Sequence, residues 1–491
     1  MLHQKRKHSG RTEADFAPLL RRMALFLVVG YLAATVLFYF LAGEQLHLRE
    51  SRGDLELLTA DSGTVELAAG SVVEQTFTTE IQRLEKISVQ WGTYYRPNAG
   101  TVVLELYDTR SNTLLMSKSF DAAAVTEGGF TEMEAEAPIE GLYNAPLLLR
   151  IYSPDSQAGS AVSPLMNTQA KEEGFSLTLN GAPTPGILCF TASGTDYIWT
   201  GLHYWEFVAA GLAVILLFLG AVWYRARSGK RSYVVNAVIA VQKYRFLIHQ
   251  LVARDFKTKY KRSILGVFWS FLNPLLTMCV QYFVFSTIFK NNIQNFAVYL
   301  LIGVVMFNFF SEACGMALTS ILGNAGLITK VYMPKYIYPL TRVMSSMVNL
   351  GISLIPLFLV CLATGVHFQK SVVLALYFMM CLVIFCLGLG MLLSTSMVFF
   401  RDTQFLWGVL SMMWMYATPI FYPESILPEN FRWVLRINPL YHFLKNTRIC
   451  ILDGISPEPF VYFQCFMIAL AMLLVGALVF RKNQDKFVLY L

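Results

Sequence analysis

Glu312 and Arg342 each stand inside an apolar run, about one to two helical turns from its nearer end. An ionisable group at such depth is costly unless it pairs or works. Opposite charges in neighbouring runs point to a structural ion pair. Snorkelling is the plainer alternative and a proton relay the chemical one. No ladder of acidic residues or His accompanies Glu312, which favours the pair.

Aromatic side chains crowd the same half of the chain. Phe268, Trp269, Tyr282, Phe421, Tyr422, Trp433 and Tyr441 offer ring faces that suit the apolar faces of sugars, so they are candidates for lining a translocation path. The last four form an outer group at its exit. Packing and interface anchoring account for most rings of this kind. Another aromatic group, Trp91-Gly92-Thr93-Tyr94-Tyr95-Arg96-Pro97, follows a predicted strand. Trp91, Tyr94, Tyr95 and Arg96 are read either as a glycan contact or as cover for the end of a core.

Bond-making chemistry finds no support. The chain has no metal-ligand cluster and no nucleophile–base pair. The phosphate-cradling pattern G-x-x-x-x-G-K-[ST] is absent, and its nearest fragment, Gly323-Asn324-Ala325-Gly326, lacks the Lys-Ser/Thr pair. No enzyme activity and no cofactor are expected in this chain, and any ATP and Mg would be held by a partner.

The elements that position these residues are written in the hydropathy. Of 491 residues, 55% are hydrophobic and only 14% charged, against about a quarter charged in soluble proteins. The apolar residues come in blocks, which predicts a polytopic α-helical membrane protein of about eight spans. The net charge of +7 sits beside those blocks, so it reads as a topology signal and not as a nucleic-acid surface. Cys279, Cys314, Cys361, Cys381, Cys386 and Cys465 lie in apolar runs as small core residues. Cys189 is the only one in the large polar region, which excludes an internal disulfide there.

Residues 1–42 are a basic tail and a first anchor, with an apolar run from Met23 to Ala42 longer than a signal-peptide core. Residues 43–200 are polar and alternating. Val72–Phe77, Ile87–Trp91, Thr101–Tyr107, Phe130–Glu136, Leu147–Tyr152 and Phe175–Leu179 read as strands of an inserted β-sandwich, and Ser153–Gly174 as a loop. Residues 201–235 hold a second span and a basic linker. Residues 236–263 form an amphipathic interfacial helix whose cations Arg254, Lys257, Lys259 and Arg262, with Tyr260, face headgroups. Residues 264–491 hold six spans, roughly Ile264–Phe289, Phe296–Met316, Tyr336–Thr364, Val372–Phe399, Phe405–Tyr422 and Phe460–Phe480. Basic flanks at Arg21-Arg22 and Arg225–Arg231 place residues 43–200 outside the cytoplasm and both termini inside. Arg432, Arg436, Lys445 and Arg448 then fall in an outer loop, against the usual bias. Phe431–Ile451 is expected to dip into the membrane as short re-entrant helices.

The second half also carries a resemblance. Tyr260-Lys261-Arg262-Ser263 followed by Leu265-Gly266, Trp269 and Pro274, then Leu327-Ile328-Thr329-Lys330-Val331-Tyr332-Met333-Pro334, Arg401-Asp402, Thr418-Pro419-Ile420-Phe421-Tyr422-Pro423, and Ile437-Asn438-Pro439-Leu440 with Arg448 stand in order. Together they resemble ABC-2-type permeases that export polysaccharide, O-antigen and teichoic acid. The resemblance covers about Asn236 to Leu491 and leaves the anchor–sandwich–anchor part outside. It implies the permease subunit of an ABC exporter in a bacterial plasma membrane, moving a lipid-linked glycan. It further implies a homodimer of this chain with two copies of a separate P-loop ATPase, in contact with membrane lipids and with no nucleic acid. Coupling to the ATPase would use the interfacial helix and the loop holding Asn324, Leu327, Ile328, Lys330, Val331, Tyr332, Met333 and Pro334, whose apolar residues face water. An exporter of a small lipid or drug, and a membrane-anchored glycan sensor, stand as alternatives.

Overall fold

The computed structural model describes residues 17–52, 59–227, 242–260, 264–288, 295–330 and 333–490. The chain divides into two units, residues 47–202 and the remainder.

The larger unit is helical: α1 Ala17–Ala42, α2 Tyr204–Arg227, α3 Arg245–Tyr260, α4 Phe268–Ile288, α5 Phe296–Leu318, α6 Ile337–Ala363, α7 Val372–Phe399, α8 Thr403–Ala417, α9 Arg432–Ile437, α10 Pro439–Arg448 and α11 Pro459–Asn483. Among the described residues, seven helices are long and apolar enough to cross a membrane. α8 has only 15 residues, about 22 Å at helical rise, short of a hydrocarbon core of about 30 Å. The expected span to Tyr422 ends early because Pro419 cannot continue a helix, and irregular backbone follows.

α5 and α7 form the centre of this unit, with Leu300, Phe310, Ala317, Phe378 and Cys386 fully enclosed. Cys314, Cys361, Cys381 and Cys465 are buried as expected, whereas Cys279 is exposed on α4. α7 and α11 touch backbone to backbone. A Cβ on Gly476 would lie 1.9 Å from the Gly388 carbonyl oxygen, and one on Gly388 would lie 2.4 Å from that of Met472. Small residues allow this approach where apolar solvent offers no hydrophobic drive. Gly476→Ala should therefore force the helices apart. The expected result is loss of monodisperse protein on size-exclusion chromatography in detergent, with Gly220→Ala, where nothing lies within 4 Å, unaffected.

α1 and α2 pack against each other where the chain leaves for the smaller unit. Ala42, Leu46, Tyr204 and Val208 form a small core there. The Tyr31 hydroxyl donates to the Val208 carbonyl at 3.0 Å, and the Tyr204 hydroxyl to that of Thr35 at 2.7 Å.

The smaller unit is a β-sandwich of two antiparallel sheets. Its strands are β1 Leu48–Arg52, β2 Ser62–Gly63, β3 Val72–Thr78, β4 Arg83–Gly92, β5 Thr101–Asp108, β6 Thr113–Asp121, β7 Phe130–Glu140, β8 Pro146–Tyr152, β9 Ser163–Asn167, β10 Ser176–Leu179, β11 Ala182–Thr184, β12 Ile187–Leu188 and β13 Phe190–Tyr197. One sheet runs β1-β13-β4-β9-β12, with β2 on β9 and β7 on β4; the other runs β11-β10-β3-β8-β5-β6. Strict alternation in β3 and β5 turns every second side chain into the core. Gln75 is fully enclosed between the sheets and satisfied. Its amide donates to the Thr76 and Ser176 carbonyls, and its oxygen accepts from the Leu188 N–H at 3.1 Å. The segment Ser153–Gly174, expected to be a loop, contains β9. Ser-Pro-Leu-Met-Asn shows no alternation, and pairing with β2, β4 and β12 makes it a strand.

Candidate functional site

Three groups of polar or aromatic residues stand out, and each corrects part of the sequence reading. The first is at the end of the helical unit where α3 lies. The face of α3 bearing Ile248, Leu251, Val252 and Asp255 turns inward at helical spacing, and α3 packs on α6. Asp255, almost wholly enclosed, meets Arg342 of α6 at 3.1 Å and accepts from Arg254 at 3.1 and 3.2 Å. Arg254 also donates to the Asn324 side chain at 3.3 Å, and Asn324 donates to the Ser320 carbonyl at 2.8 Å. One turn along α3, Lys259 pairs with Glu312 of α5 at 2.8 Å, and the Asn349 amide of α6 donates to the same carboxylate at 2.6 Å.

Glu312 and Arg342 therefore do not pair with each other. Hydropathy gave both charges a similar depth and opposite signs. The folded α3 instead delivers Asp255 and Lys259, four residues apart on one face, so each deep charge has its own partner. Lys259 is accordingly a strut and not simply a headgroup contact. Lys257 is exposed. Arg262 and the Tyr260 side chain lie outside the described residues.

The loop beyond α5 contains a single helical turn, Ala325–Ile328. Leu327 and Ile328 are half-buried against a cluster of Ile248, Ile321, Ile337, Tyr338 and Phe480, and Met333 is buried within it. Met333 is thus part of the permease interior and not an exposed contact. Lys330 is exposed and Pro334 half-buried. Val331 and Tyr332 lie outside the described residues. Lys335 donates to the Gln484 carbonyl at 2.6 Å, joining this loop to the end of α11.

The second group surrounds the irregular backbone after α8. Asn438 caps α10 by accepting from the Leu440 N–H at 3.1 Å, with Pro439 at the first helical position, where its missing N–H costs nothing. The Asn438 amide donates to the Thr418 hydroxyl at 2.8 Å, and its oxygen accepts from the Trp414 indole at 2.8 Å. Arg448 is buried. It donates to the carbonyls of Pro419 at 2.6 Å, Ile420 at 2.9 Å and Tyr299 at 3.0 Å, and lies 3.4 Å from the centre of the Tyr299 ring. Lys445 pairs with Glu424 at 3.1 Å and donates to the Tyr441 hydroxyl at 3.1 Å. Two of the four cations that break the loop-charge bias are thus held by the fold itself.

The aromatics divide. Phe421 is buried and stacked on Phe285 at 5.4 Å, and Tyr441 is buried beside Lys445. Both were expected at an exit lining and prove to be packing: Phe421 lies against α4 through Phe285, and Tyr441, on the enclosed face of α10, is engaged by Lys445. Tyr422 is half-buried, with its hydroxyl on the Tyr416 carbonyl at 2.7 Å. Phe268, Trp269, Tyr282 and Trp433 face outward.

The third group is the turn after β4. Trp91 is fully enclosed, with Phe120 edge-on at 5.5 Å, and so is core and not a glycan contact. Tyr94 and Tyr95 both have left-handed backbones, at φ +56° and +52°. The Arg96 N–H donates to the Thr93 carbonyl at 3.2 Å, closing the turn. Glu127 accepts from the Thr93 hydroxyl and N–H, each at 2.6 Å. That hydroxyl, then the backbone N–H groups of the turn, hold the Glu127 carboxyl below its usual pKa. Arg96 lies 4.8 Å over the Tyr94 ring and pairs with Glu66 at 2.8 Å. Among the described residues no group of three His, Cys, Asp or Glu gathers as a metal site.

Seven helices long and apolar enough to cross a membrane, with a charged helix latched onto α5 and α6, are the build of a multi-pass membrane protein. The ABC-2 type transporter profile matches residues 247–452. The RfbA permease protein of an O-antigen export system from Klebsiella pneumoniae is 30% identical over 245 residues, 49% of this chain and 93% of its own. The RfbA permease from Myxococcus xanthus is 30% identical over 256 residues, 52% of this chain and 98% of its own. The polysialic acid transport protein KpsM of Escherichia coli is 22% identical over 247 residues, 48% of this chain and 93% of its own. The chain belongs to the ABC-2 transporter permease family, as its motifs imply. The relatives account for about half of it, and the β-sandwich lies outside the family match.

Proposed function

We propose that this chain is the membrane subunit through which a lipid-linked polysaccharide of the O-antigen or capsule type leaves a bacterial cytoplasm. The observation that carries this reading is likeness over nearly the full length of O-antigen export permeases. With no phosphate-binding loop of its own, the chain takes its drive from a separate P-loop ATPase that binds ATP and Mg, two copies serving a homodimer of this chain. Both termini lie in the cytoplasm, and residues 43–200 lie outside it.

The network on α3 supports a route for that drive. A push on α3 or on the exposed turn around Lys330 reaches α5 through Lys259–Glu312 and α6 through Asp255–Arg342. Outward-facing Phe268, Trp269, Tyr282 and Trp433 are candidates for the translocation path where two copies meet. Deleting the chain from its host should trap lipid-linked polysaccharide inside the cell, read by extraction and glycan staining. Unchanged surface polysaccharide, with a small lipid accumulating instead, would overturn the reading.

A further inference from the structure

We propose that the turn Thr93–Arg96 of the β-sandwich is a docking platform for the uncharged sugar residues of the exported polysaccharide; this rests on the reading above. The turn has two central residues with positive φ, a geometry for which Asn-Gly is the relaxed solution. Bulky aromatic residues are outliers there, and such outliers persist where the surroundings over-determine them. Here the surroundings do: Glu127 gathers the donors of the turn, and Asn98, itself buried, donates to the Thr93 and Arg96 carbonyls at 3.0 and 3.2 Å.

What the strained backbone presents is ring surface. Tyr95 is 90% exposed and Tyr94 45%. The Tyr94 hydroxyl reaches toward β2, 3.7 Å from where a Cβ on Gly63 would stand. Arg96 backs that ring and is fixed by Glu66, which in turn accepts from the Gly159 N–H at 2.8 Å. The core beneath does not need either tyrosine, because Trp91 and Phe120 already close it.

Charge selects the ligand class. Arg96 is paired with Glu66, and Glu127 is an ionised carboxylate held by uncharged donors, so these three groups leave a slight negative excess. A polyanion finds no surplus cation. Amphipathic rings held rigidly at small entropic cost suit the C–H face of a pyranose. The site is at the end of β4 away from Arg83↔Thr195, where the strands carrying the chain in and out run side by side.

The test uses full-length protein in nanodiscs and the host's surface polysaccharide, freed of its lipid by mild acid. Retardation in a polysaccharide-containing native gel should fall at least tenfold for Tyr95→Ala and for the double change Tyr94→Asn with Tyr95→Gly. Tyr95→Phe should keep it. The double variant should melt no lower than the parent, because it relaxes the turn. Equal retardation of parent and double variant, or weakened binding accompanied by a lower melting midpoint, would overturn the platform. The export reading is judged separately, by whether deletion of the whole chain traps the lipid-linked polysaccharide.

Discussion

Replacing Arg448 with Met is expected to abolish folded protein, and Arg448→Lys to do little better. The guanidinium serves three backbone carbonyls of the irregular stretch after α8 and the start of α5. Hydrogen bonds to a charged group contribute about 1.5–3 kcal/mol each. Losing them while the carbonyls stay buried should cost about 4 kcal/mol or more. Lys cannot substitute, because one ammonium is a point charge without the planar fork. The measurement is the melting midpoint of detergent-purified protein, together with proteolysis between Thr418 and Phe431. A midpoint within a degree or two of the parent would show that the irregular backbone finds its partners elsewhere.

Removing Asp255 should be nearly as damaging, and the damage should be repairable. Asp255→Leu leaves the half-buried Arg342 without its carboxylate. Breaking one side of a buried pair costs about 3–5 kcal/mol, an upper bound here because Arg342 keeps some contact with solvent. Pairing Asp255→Leu with Arg342→Met removes both charges and should recover much of that loss. The recovered protein should still fail to export, because the link from α3 to α6 is gone. A double variant that is both stable and fully active would mean that the pair only holds the helices together. One less stable than either single variant would mean that Arg342 has another essential partner.

What the amino-acid sequence discloses of this fold, and what it hides, has physical causes. Spans were legible because hydropathy over about 20 residues is a property of the segment alone. The sandwich was legible where strands alternate, as in β3 and β5, and invisible in β9 and β12, which owe their form to pairing. Glu312 and Arg342 stand out in the sequence as charges within apolar runs, but their partners, Lys259 and Asp255, could not be read from it. Asp255 sat in a segment rich in cations, and only the fold of α3 onto α6 turns it inward. A spacing signal was available, since Leu251, Asp255 and Lys259 repeat every four residues. The Asn438-Pro439 cap could be read locally. That Phe421 would be covered could not, because its stacking partner Phe285 comes from α4, far away in the chain.

The pairing of α1 with α2 has a consequence for the β-sandwich. Their contact at Tyr204 and Val208 fixes the two ends of a loop of roughly 150 residues. Pinning such ends restricts the unfolded ensemble as a covalent cross-link would, by about 5 kcal/mol on the loop-entropy estimate. The sandwich contains one cysteine, Cys189, and it is free. Its clasp is made of lipid-facing helices instead of sulfur, so it is insensitive to reductant and lasts as long as the bilayer holds the two helices together.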